Sequence, residues 1–138
     1  MMTLKLGERE LNVAFGYEPT LKTRLLSRMA KKAVEMKDGD GDLEKIEDML
    51  LFIPEVLLIG LQKEHKEEFG FNLDTNEGYE EQKNKVFSIV ADGLDNGDMD
   101  CFDLFNILQD EMTKNGFLKK MFEKEVEKEE QKAQKTTE

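Results

Sequence analysis

Over residues 2–15 apolar and polar positions alternate, the period-two pattern of a strand with one buried face. Gly7-Glu8 suits a two-residue hairpin turn with glycine first. That turn pairs Leu6 with Arg9, Lys5 with Glu10, Leu4 with Leu11 and Met2 with Val13. Met2, Leu4, Leu11 and Val13 then share one face, while Lys5 and Glu10 meet on the other as opposite charges. A lone hairpin is marginal in water, so its apolar face must dock on helices. Phe15-Gly16-Tyr17 makes the corner leading out.

From there the period is helical. Residues 18–37 read as one helix, with Pro19 in its first turn and a stripe of Leu21, Leu25, Met29, Ala33 and Met36. The stretch 49–61 is apolar at almost every position, in contrast to the charged chain around it. A helix apolar all round is a membrane span or the middle of a core. A span needs about 20 unbroken apolar residues, and this run is shorter and carries Pro54-Glu55. It predicts a buried central helix over residues 43–69, bent or restarted at Pro54, with Asp42 as N-cap; a membrane-surface role is the alternative. Its end, from Gln62, turns polar and leaves His65 in solvent.

A third helix is predicted from 75 or 77 to 94, through Tyr79, Val86, Val90 and Leu94, with Phe87 and Ile89 widening the stripe. A fourth runs to about 115, capped by Asp100 and closed near Gly116. Cys101, Phe105, Leu108 and Met112 face its core side, with Phe102 and Leu104 adjacent. The fold class is therefore mainly α with a small N-terminal β-hairpin, a four-helix bundle-like core in one domain over residues 1–122. Residues 123–138 hold only Val126 and Ala133 as apolar side chains and read as a flexible charged tail.

Charge narrows the function. A net charge of −11 argues against nucleic acid, since phosphate is repelled. Cys101 is the single cysteine, so no internal disulfide forms and a reducing cytoplasm is natural. No basic region followed by an apolar one opens the chain, so no secretion signal is read. Asp38-Gly39-Asp40-Gly41-Asp42 invites a calcium reading, but Leu43 and Met49 stand where an EF-hand needs glycine and glutamate. A second candidate from Asp92 fails at Leu94. No phosphate loop, nucleophile elbow or metal-ligand spacing appears, so no enzyme and no cofactor is expected.

Two surfaces invite a partner. Arg24, Arg28 and Lys31 form a basic stripe, either solvated, paired with Glu44, Glu47 and Asp48, or free to bind. Phe117, Leu118, Met121 and Phe122 form an apolar edge ahead of the tail, which either folds back on the core or holds a partner. On composition alone the chain is a helical interaction module, with an acidic adaptor or inhibitor of a basic partner as one version.

The arrangement resembles the tail assembly chaperones of long-tailed phages that infect Gram-positive bacteria. Four features carry the resemblance. They are the hairpin ending in Val13-Ala14-Phe15-Gly16-Tyr17, the segment 55–61 running into Gln62-Lys63-Glu64-His65-Lys66, the acidic break before Phe102-Asp103-Leu104-Phe105-Asn106-Ile107-Leu108, and Asn115-Gly116-Phe117 before a charged tail. The linker at 38–42 has no counterpart in it. The resemblance covers roughly residues 1–122. It implies a non-catalytic protein of the host cytoplasm that binds the tape measure protein, keeps it soluble and helps recruit major tail protein. It further implies absence from the mature virion. A homo-oligomer is compatible with it, and a membrane partner is not expected.

Overall fold

The structure, a computed structural model, describes residues 1–38, 42–97 and 99–121. The predicted tail, Phe122 and the middle of the Asp-Gly linker lie outside the described residues. The fold is mainly α with one N-terminal hairpin. Strands β1 (Met2–Leu6) and β2 (Arg9–Val13) pair antiparallel in the predicted register, from Leu6 with Arg9 to Met2 with Val13. Gly7 sits at φ +62°, which the first position of this turn requires. Leu4, Leu6, Leu11 and Val13 are buried.

Six α-helices follow among the described residues: α1 (Tyr17–Lys22), α2 (Leu25–Asp38), α3 (Leu43–Gly60), α4 (Lys66–Phe69), α5 (Tyr79–Asp95) and α6 (Cys101–Lys114), before a 3-10 turn at Gly116–Leu118. The helix expected over 18–37 is two helices. Its break is at Arg24, whose φ of +55° lies in the left-handed region that costs a side chain about 1–3 kcal/mol. The Thr23 hydroxyl donates to the Pro19 carbonyl at 2.6 Å and the Arg24 amide to Leu21 at 3.1 Å, closing α1 before α2 begins. The expected stripe is split accordingly: Leu25 and Met29 are buried, whereas Leu21 and Ala33 are exposed.

Helix α3 is the centre of the core. It continues through Pro54 as one element and buries Val56, Leu57, Leu58 and Ile59 completely. Asp42 caps it, accepting from the Glu44 amide at 3.0 Å. It stops at Gly60 instead of reaching residue 69. A Cβ on Gly60 would stand 2.8 Å from Val13 and 3.0 Å from Phe15, so the hairpin's end lies directly against the helix. The Ala14 amide donates to the Gly60 carbonyl at 3.0 Å. The turn after it is held by Gln62, which is buried: its side-chain Nε2 donates to the Leu58 and Phe69 carbonyls at 3.1 and 2.9 Å. His65, expected in solvent, is half-buried and accepts from the Asn12 amide at 2.9 Å. It thereby satisfies a backbone group on the outer edge of β2.

Helix α5 starts later than expected because Gly78, at φ +85°, turns the chain into it. Gly93 on α5 lies against β1, where an added Cβ would stand 2.7 Å from the Leu6 side chain. Asp100 caps α6 as predicted, accepting from the Phe102 amide at 2.7 Å. Leu104 is fully buried and Phe102 exposed.

Candidate functional site

The residues singled out in the sequence do not form one site. Arg28 is engaged inside the fold. Its guanidinium donates to Glu55 at 2.8 Å and stands 5.2 Å above the Phe52 ring. Arg24 and Lys31 are exposed, so the basic stripe is interrupted at its middle member. Arg28's partner is Glu55, not the acids at the start of α3. The same carboxylate oxygen accepts from the Tyr79 hydroxyl, which ties α2, α3 and α5 together. Burial first, then the hydrogen bond and charge of Glu55, push the Tyr79 hydroxyl's ionisation well above its ordinary range.

The C-terminal apolar edge is also divided. Leu118 is only 2% exposed and belongs to the core, because the 3-10 turn after Gly116 folds it back against α6. Phe117 (37% exposed) meets Tyr17 edge to face, with ring centroids 5.2 Å apart. Met121 is 51% exposed.

An apolar opening lies elsewhere. A groove of about 600 Å³ runs between α3 and α5 and reaches the start of α6. Leu50, Leu51, Ile53 and Pro54 supply the α3 wall, and Phe87, Val90, Ala91 and Leu94 the α5 wall. Met99, Asp100 and Cys101 complete it. Leu51 is 57% exposed and Phe87 46%, so the apolar character reaches the surface. Among the described residues the charged lining groups are Glu47 and Asp100, both acidic, with no lysine or arginine. Cys101, expected as a core filler, is half-buried in this wall. Burial and then the Asp100 carboxylate hold its thiol above the ordinary range, away from nucleophilic thiolate chemistry.

The groove follows from three local facts. The apolar run of α3 has no single polar face, so it offers side chains on the flank between its hairpin side and solvent. Phe87 lies one residue beyond Val86 on α5, off the buried stripe. The short break before Asp100 brings Met99 and Cys101 to the same opening. In the sequence the only signal was an excess of large apolar residues, Leu51 and Phe87, beyond what one stripe per helix needs.

Among the described residues no three His, Cys, Asp or Glu side chains are grouped to hold a metal ion, and no helix is long and apolar enough to cross a membrane. No family model matches the chain, and no curated protein or solved structure matches it.

Proposed function

We propose that the chain is a non-catalytic assembly chaperone of a long-tailed phage. It holds helical segments of the tape measure protein, keeps that protein soluble and helps recruit major tail protein around it. It acts in the host cytoplasm and leaves before the tail is complete. The observation that supports this reading most is the groove between α3 and α5: an apolar surface held open by a packed core, with acidic groups at its margin. A helical client buries its apolar face in such a groove, and the surrounding charge keeps the unloaded protein soluble. Exposed Phe117, beside Tyr17, supplies a second and smaller apolar contact. An acidic inhibitor acting through charge alone has no use for an open apolar groove, which favours the chaperone reading.

Co-expression tests it. The tape measure protein from the same genome is expected in the soluble fraction, bound to this chain, and in the pellet without it. A tape measure protein equally insoluble with and without the chain contradicts the proposal.

A further inference from the structure

We infer that the groove receives a basic amphipathic helix, with apolar side chains one turn apart on its floor and lysine or arginine along the flank facing Glu47 and Asp100. This rests on the chaperone reading for the kind of partner and adds its charge. Two packed helices form the groove's walls, a channel along which a third helix lies with anchors at i, i+3 or i+4, and i+7. Every charged lining group among the described residues is a carboxylate, and Asp100 also caps α6 by accepting from the Phe102 amide. A basic flank complements that margin and an acidic one opposes it.

Other occupants fit less well. A second copy brings a further −11 of charge to an acidic margin. The chain's own residues 123–138 carry six glutamates against four lysines and offer only Val126 and Ala133 as apolar groups. A fatty acid or other anionic amphiphile would place its head group against the two carboxylates.

The single cysteine makes the test direct, because Cys101 lines the groove and no other thiol competes. Two synthetic helices of about 18 residues, or five turns, would carry the same leucine stripe, one flanked by lysine and one by glutamate. Binding to the full chain is read by fluorescence anisotropy, and groove occupancy by the rate at which a thiol-reactive disulfide modifies Cys101. The lysine peptide is expected to bind at least about tenfold more tightly than the glutamate peptide and to slow the thiol reaction several-fold. Glu47→Lys should narrow or reverse the preference. Ala91→Trp, which fills the groove, should abolish binding; should that variant fail to fold, Phe87→Ser on the exposed rim provides the same reading.

Equal binding of the two peptides overturns the inference, and so does an unchanged thiol rate at saturating peptide. A concentration-dependent dimer that Ala91→Trp dissolves overturns it too, making a second copy the occupant. The two readings separate cleanly. A lysine-peptide preference in a chain that fails to solubilise tape measure protein supports the groove assignment and removes the chaperone role. Solubilisation that survives Ala91→Trp overturns the groove assignment and leaves that role standing.

Discussion

The two flanks of α3 both carry apolar residues and are finished differently. On the hairpin flank Gly60 admits Val13 and Phe15 to its backbone and its carbonyl accepts from Ala14, and Leu57, one turn before Gly60, has no exposed surface. On the α5–α6 flank the same helix stops short of closure and leaves Leu51 exposed over a groove of about 600 Å³. An apolar side chain on the first flank contributes to stability. An exposed one on the second, such as Leu51, contributes little to folding, and its cost in exposure is explained if something else covers it. The burial pattern along α3 therefore separates side chains the chain needs to fold from those it leaves uncovered.

The comparison can be broken most forcefully on the closed side. Leu57→Ala should cost ~2–5 kcal/mol, the range for a fully buried leucine replaced by alanine. Denaturant unfolding measures it, and a change within error would mean that α3 is not the core. Gly93→Ala comes next. Alanine gains about 1 kcal/mol of helix propensity, but its Cβ would meet Leu6 at 2.7 Å and the Leu6 Cα at 3.3 Å. Overpacking of this kind costs ~1–3 kcal/mol, so the variant should melt lower despite the better helix former. A higher melting temperature would show that β1 yields easily.

Tyr79→Phe is a smaller perturbation with a pH signature. Losing the hydroxyl's bond to Glu55 should cost about 1 kcal/mol at neutral pH. The folded-state ionisation of Tyr79 lies above its ordinary value of 10.0. Above that pH the unfolded chain gives up this proton while the folded chain retains it, so the unfolded state binds fewer protons and stability falls as pH rises. The contribution is present in full below about pH 10 and declines above it. Tyr79→Phe should remove this component of the alkaline decline; identical alkaline profiles for the two proteins would contradict a raised Tyr79 ionisation in the folded chain.

Much of the closed side was legible in the sequence. The hairpin register follows from a period of two and one glycine at the turn, because a one-residue slip would put Leu4 and Leu11 in water. Asp42 and Asp100 announce their helices because a carboxylate before an apolar period satisfies free amides. What stayed hidden depends on partners distant in sequence. Arg28 looks like a surface cation until Glu55, on the next helix, is brought to it. His65 looks solvated until Asn12 arrives from the hairpin. The break at Arg24 carries no glycine or proline to mark it, only a left-handed backbone at an arginine. Leu118 had the right chemistry for an exposed edge, and only the turn at Gly116 sends it inward. The groove was the least legible feature, since apolarity in α3 and α5 does not say which flank a neighbour covers.

We propose that the open flank binds a client and does not hold the fold together. The double variant Leu51→Ser with Phe87→Ser tests it most directly, with thermal melting and co-expression with tape measure protein measured side by side. Both side chains are about half exposed, so together they should cost about 1 kcal/mol or less. The predicted result is a chain that melts within a few degrees of the parent and no longer keeps the tape measure protein soluble. A chain that unfolds, or one that stays folded and solubilises its client as well as the parent does, would contradict the claim.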